Sequence, residues 1–129
     1  GYLKGYGLKS GAVATSVAHD SHNIICVGTN DEDMAFAVNR IARNRGGIVV
    51  VENGQVLAEL PLEIAGIISG KPLREVNTLL EDAKKAAHAL GVGTDIDPFM
   101  TLSFMSLPVI PTLRLTTRGV VDVNTQQYV

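Results

Sequence analysis

The chain has 129 residues, 46% of them hydrophobic, enough for one domain with its own core and too apolar for a disordered segment. Its formal net charge is −2, with 11 basic and 13 acidic residues, and the basic ones are scattered, so the stripe that nucleic-acid binding needs is absent. The longest apolar runs, such as Ile48 to Val51, are strand-length and exclude a membrane-spanning segment, and a single cysteine, Cys26, excludes an internal disulfide.

The opening, Gly1-Tyr2-Leu3-Lys4-Gly5-Tyr6-Gly7, carries no signal-peptide pattern and no initiator methionine. It reads as a chain cut from something longer, with the cytoplasm as default compartment. Gly5 to Gly11 is a glycine-rich loop entering a strand, and Ala12 to Ala18 is small, β-branched and apolar, as in a buried strand. The polar pentapeptide His19-Asp20-Ser21-His22-Asn23 follows, and then a second apolar run, Ile24 to Val27. Two strands around a short polar tip predict a hairpin; one strand bent by a bulge is the alternative. Cys26, inside the second run, is expected to be a buried small hydrophobe and not a reactive thiolate.

Asn30 caps a predicted helix whose first turn holds Asp31, Glu32 and Asp33, where the helix dipole favours negative charge. Met34, Val38, Ile41 and Ala42 follow at helical spacing, Arg40, Arg43 and Arg45 complement the far end, and Gly46-Gly47 stops it. Ile48 to Val51 and Val56 to Leu60 flank Asn53-Gly54, a hairpin signal because both turn residues must tolerate positive φ. Pro61 ends the pair, and Leu62 to Ile68 reads as one or two helical turns. Lys71-Pro72 opens the longest helix, with a stripe of Leu73, Val76, Leu80, Ala83, Ala87 and Leu90. Lys84 and Lys85 are expected to face outward, His88 to lie at the stripe's edge, and Gly91 to cap the helix. Asp97-Pro98 starts a helical segment through Leu107, Pro108 to Pro111 is an extended connector, and Leu113 to Thr116 with Val120 to Val123 form a last strand pair around Arg118-Gly119. This order predicts one α+β domain over residues 1–129, a mixed or antiparallel sheet with helices packed on it.

Only the tip combines titratable side chains densely. His19 and His22, three apart, could bind a metal if the backbone turned between them, yet two ligands are too few; Asp20 could be a third, and a residue from outside the chain a fourth. The letters of a Ser-His-Asp triad are present, but neighbours on a tight turn rarely face one another as a triad requires. Asp, Ser and Asn also favour plain turns, so a structural turn and the lining of a site both stay open for residues 19–23. Gly91-Val92-Gly93 follows a helix instead of opening one, the wrong polarity for an anion cradle. Asn30, Asp31 and Asp33 lack the glycine and terminal glutamate of a calcium loop, so capping explains them better.

The phrases Val17-Ala18-His19-Asp20-Ser21-His22-Asn23-Ile24-Ile25 and Val27-Gly28-Thr29-Asn30-Asp31-Glu32-Asp33-Met34 resemble the signature of adenine deaminases in the amidohydrolase superfamily. Val49 to Val51 with Val56 to Leu62, and Pro98 to Phe104 continuing through Leu107 to Pro111, resemble the family's next and last blocks, in family order over nearly the whole chain. The resemblance implies the carboxyl-terminal domain of an enzyme that hydrolyses adenine to hypoxanthine and ammonia. It also implies a divalent metal, iron or manganese, held by a (β/α) barrel whose ligand motifs are absent here. The domain's implied partners are that barrel and, in the whole enzyme, adenine, with homo-oligomerisation also open. The chain is then expected to bind no cofactor and to be inactive alone, while His19, Asp20, Ser21, His22 and Asn23 line the site at the barrel mouth. The competing expectations are a structural or oligomerisation domain and a free-standing small-molecule-binding module.

Overall fold

A computed structural model describes residues 1–129. Strands β1 (Ala12–Thr15), β2 (Ile25–Gly28), β3 (Gly47–Glu52) and β4 (Gln55–Pro61) form an antiparallel sheet in the order β2-β1-β3-β4. Helix α1 (Asp31–Asn44) covers one face, packing on Ala12, Ala14, Val49 and Val51. Helices α2 (Leu73–Ala89) and α3 (Pro98–Ser103) cover the other, over Val13, Ile48 and Val50. Successive strand residues alternate between these two cores, which is why β1 and β3 read as unbroken apolar runs. The strands β5 (Leu113–Thr116), β6 (Gly119–Asp122) and β7 (Gln127–Tyr128) make a separate antiparallel sheet. The α+β expectation holds, with all strand pairing antiparallel; the second sheet as a separate unit, and its third strand, were not anticipated. No helix is long and apolar enough to cross a membrane.

The β3–β4 hairpin turns through Asn53 (φ 52) and Gly54 (φ 70), the left-handed pair that a two-residue connection needs. The register slips between Val50 and Val51, a bulge that adds local twist. At the start of α1, Asn30 Oδ1 accepts from the Asp33 amide at 2.7 Å, the predicted cap. Asp33 does more than favour the helix dipole. Its carboxylate is buried and accepts from the Gly54 amide at 2.8 Å, the Asn53 amide at 3.1 Å and Asn30 Nδ2 at 3.0 Å. One carboxylate therefore ties the helix start to the hairpin turn.

Several local expectations are corrected. The apolar face of α1 runs through Ala37 and Ile41, with Met34 and Val38 half-buried, whereas Ala42 is exposed. Arg40 lies too far back to serve the helix end and instead grips Glu59 of β4 in a fork, Nε at 2.8 Å and Nη2 at 2.7 Å, with Asn44 adding a bond at 2.9 Å. Residues 62–68 are not helical: Ala65 (φ 56) and Gly66 (φ 77) are both left-handed, incompatible with a right-handed helix, and an Ile64–Ile68 bridge closes the loop. The loop sits where it does because Gly46 has no side chain; a Cβ there would collide with the Gly66 backbone. Leu73 is 83% exposed, so the buried stripe of α2 begins at Val76. Lys84 is not free: its Nζ lies 3.0 Å from Asp97 and 3.4 Å from Glu81, joining α2 to the cap of α3, where Asp97 accepts from the amides of Phe99 and Met100 at 3.0 and 2.9 Å. Helix α3 ends at Ser103 and not at Leu107, and turns replace the extended connector at 108–110. The Gly91-Val92-Gly93 run serves close backbone approach, since Lys9 N donates to Leu90 O at 2.9 Å and Gly93 N to Tyr6 O at 3.1 Å.

The hydrogen bonds from Asn30 and from the Gly54 and Asn53 amides hold the Asp33 carboxyl below its ordinary range. Its contribution to stability is then complete above the unfolded carboxyl pKa of about 3.9 and is lost as pH falls through its lowered folded value. Asp33→Ala is expected to lower the urea midpoint at neutral pH, and the gap to wild type should close in acid below about pH 4. A gap that stays constant from neutral pH into that acid range would refute this role.

Candidate functional site

Strand β1 runs straight into Ser16, whose hydroxyl donates to the Gly66 carbonyl at 2.6 Å and accepts from the Gly47 amide at 2.7 Å. Beyond it the chain makes the polar tip. The hairpin reading holds, because β1 and β2 pair antiparallel with Thr15 opposite Ile25, but the connection spans residues 16–24 and is longer than the pentapeptide alone. Two backbone bonds set its base: His19 N donates to Ser103 O at 2.8 Å, and His22 N to Ala18 O at 2.9 Å. Asp20 (φ 64) and His22 (φ 44) are left-handed. Asp adopts that region with relative ease; for His it costs about 1 kcal/mol.

The side chains divide into three groups. The His19 ring stacks on Phe104, centroids 5.2 Å apart and planes 23° from parallel, with Nδ1 3.5 Å from Asp20 Oδ1; the two side chains are 51% and 80% exposed. Ser21 donates to Asn23 Oδ1 and lies 3.3 Å from Ser106 Oγ, while Asn23 Nδ2 reaches Ile24 O at 3.4 Å. Ser21 thus bonds to neither imidazole, and no triad forms. His22 is exposed and its ring makes no hydrogen bond within the chain. It borders a shallow groove of about 420 Å³ with Ser16, Ile24, Arg45, Glu63 and Ala65. The Glu63 carboxylate accepts from its own amide and from Gly70 N at 3.0 Å, and these bonds hold its pKa below the usual range.

All five tip residues singled out from the sequence therefore sit on one loop, yet His19 and His22 occupy different surroundings. No three His, Cys, Asp or Glu side chains anywhere in the chain come together as a metal site, and the residues present do not fit one: His19 is engaged with Asp20 and Phe104, and His22 faces Arg45 and Glu63 across a groove. Sequence reasoning missed Ser16, Arg45, Glu63, Phe104 and Ser106. Only Ser16 left a local signal, a hydroxyl at the end of an apolar run; the others come from distant segments. His88 lies at the edge of α2 as expected, Nδ1 3.2 Å from Val92 O.

Residues 1–127 match the adenine deaminase C-terminal domain. The chain belongs to that family. It is 53% identical to an adenine deaminase of Nitratidesulfovibrio vulgaris, an alignment covering 99% of this chain and 22% of that protein. It is 46% identical to adenine deaminases of Geobacillus kaustophilus and Bacillus subtilis, each over 100% of this chain and 22% of theirs. The chain thus spans about a fifth of the length of these relatives. In this adenine deaminase C-terminal domain, the blocks at 17–25 and 98–111, far apart in sequence, meet in space: His19 rests on Phe104, and Ser21 approaches Ser106.

Cys26 is half-buried on β2 and not fully buried as its apolar run predicted, although its surroundings still disfavour a thiolate. Burial pushes its thiol up to about 11, which leaves almost no thiolate at neutral pH. Its modification by a disulfide reagent near neutral pH is expected to run about 100-fold or more below the rate in denaturant, where the thiol returns to a pKa of about 8.5. Equal rates in both conditions would show that the site is neither shielded nor shifted.

Proposed function

We propose that the domain closes the active site of a larger adenine deaminase, which hydrolyses adenine to hypoxanthine and ammonia, and that the tip of residues 19–23 lines the closed pocket. One observation carries this reading. The tip's backbone is fixed by one long-range bond from His19 N to Ser103 O, a local turn bond from His22 N to Ala18 O and two left-handed residues, while His19, Asp20, Ser21 and His22 are presented to solvent. A loop that existed only to turn the chain could use the same left-handed residues but would not need two exposed imidazoles.

His22 is the residue to place against the purine. A neutral imidazole donates at one nitrogen and accepts at the other, matching the mixed acceptors and donors along an aminopurine edge. Ser21 and Asn23, already bonded to each other, add their remaining lone pairs and keep the loop in shape. His19 and Asp20 orient the tip against α3. Covering the substrate excludes water and fixes its geometry, which lowers the barrier to hydrolysis without any new bond-making group. A divalent metal, iron or manganese, would be held by ligands outside residues 1–129, so the chemistry belongs to the barrel and the chain alone is inactive. The working compartment is the cytoplasm, where the unpaired Cys26 stays reduced.

In the full-length enzyme, His22→Ala is expected to lower kcat/KM for adenine by about 10- to 100-fold, equivalent to about 1.4–2.7 kcal/mol of transition-state stabilisation. The exposed position of His22 predicts an unchanged thermal midpoint in the same variant. Wild-type kcat/KM in that variant would end the proposal, and so would ammonia release from adenine by residues 1–129 alone.

A further inference from the structure

A second cavity, a cleft of about 770 Å³, lies beside β2, the outer strand of the main sheet. Every residue from Ile25 to Thr29 lines it. Consecutive strand residues point to opposite faces, so a cavity touching all five runs along the strand's edge and not over one face. The phase of the ladder agrees. Thr29 N donates to Gly11 O at 3.0 Å, and with Val13 opposite Val27 and Thr15 opposite Ile25 the odd-numbered positions of β2 bond to β1. Antiparallel alternation then aims the N–H and C=O groups of Cys26 and Gly28 outward, into the cleft.

The facing wall is built the same way. Leu113, Arg114 and Leu115, again consecutive, line the cleft from β5, the outer strand of the second sheet. Val123 N donates to Thr112 O at 2.8 Å, so Leu113 and Leu115 present their backbone groups away from β6. Leu115 N is taken by Met105 O at 3.1 Å and Leu113 O by Arg114 Nη1, which leaves the Leu113 N–H and the Leu115 carbonyl. Two strand edges with unpaired backbone groups thus face one apolar gap, the situation that strand addition resolves.

We infer that this gap receives an extended, apolar segment of the parent adenine deaminase from outside residues 1–129, paired as a fifth strand along β2. Three observations choose that occupant. The family is that of a C-terminal domain and the chain spans 22% of its relatives, so in them most of the polypeptide lies ahead of this domain. Gly1, Tyr2 and Leu3 line the same cleft, so a polypeptide joined at residue 1 is delivered to its mouth. Leu102 and Met105 form part of the cleft while their neighbours Phe104 and Ser106 support the tip, so one body can cover both. The flanking Leu3, Leu8, Met34 and Leu115 call for apolar side chains on the inserted strand.

The inference rests on the reading that the domain serves a larger adenine deaminase, but not on the role given to His22. It is tested on the full-length enzyme in two ways. Amide exchange at Cys26 and Gly28 is expected to be about 100-fold or more slower than in an unprotected peptide. A photo-crosslinking residue placed at Leu115 is expected to attach to a peptide that precedes Gly1, with a yield unchanged on about tenfold dilution, as an intramolecular contact requires. Fast exchange at Cys26 and Gly28 beside a slow Val27 would overturn the inference, and so would a crosslink between two copies. The exchange experiment uses the unmodified protein, so a misfolded Leu115 variant leaves the inference exposed to refutation. Protected amides together with a fully active His22→Ala enzyme would sink the tip's role and keep the strand.

Discussion

At the end of β1 a single buried hydroxyl joins three segments. Ser16 accepts from Gly47 at the start of β3 and donates to Gly66 in the loop after β4, and its own amide donates to the Gly47 carbonyl at 2.9 Å. Such a group must be fully bonded when buried, because an orphaned partner costs about 1–3 kcal/mol. That requirement brings the 62–68 loop against the end of α1, and the contact is feasible only because Gly46 has no side chain, whose Cβ would fall 2.3 Å from the Gly66 Cα. The groove beside His22 follows from it: Glu63 and Ala65 reach one side, Arg45 the other, and the tip springs from the residue after the knot. The candidate site is thus placed by the central sheet itself and not by the loop that carries it.

A second support comes from α3. His19 lies on Phe104 and bonds through its amide to Ser103, while the cap of α3, Asp97, is held by Lys84 of α2. Burial raises the Asp97 pKa, but the hydrogen bonds from Met100 and Lys84 outweigh it and leave the carboxyl lowered. The contacts from α2 through Lys84, Asp97 and α3 to the tip are contiguous, so His19 rests on a surface held in place by the longest helix.

How much of this was legible in the sequence depended on whether the cause was local. Asn53-Gly54 announced its hairpin because turn geometry is decided by those two residues alone. Asn30 announced the start of α1 for the same reason. Leu62 to Ile68 misled because a short apolar run carries no period of its own, and its shape is imposed by Ser16 and Gly46 from elsewhere in the chain. Asp33 was legible as a first-turn acid but not as a brace, since its partners lie twenty residues on. The tip stood out as a polar cluster between apolar strands, whereas Arg45, Glu63 and Phe104 became visible beside it only once the fold had brought them there. The family blocks around 17–25 and 98–111 were recognisable separately, and their meeting was not.

The brace at Asp33 has a practical corollary for anyone wishing to label or split the molecule. The Asn53-Gly54 turn is exposed and short, and would look like a natural place to insert an epitope or a fluorophore peptide. Both of its amides, however, are claimed by a carboxylate on α1, and an insertion there would unhook the helix start along with the turn. The turn at Thr117-Arg118 is the better choice: its polar bonds stay within the hairpin, Thr116 Oγ1 to Gly119 O and Arg118 N to Thr116 Oγ1, and nothing in the main sheet is fastened to it.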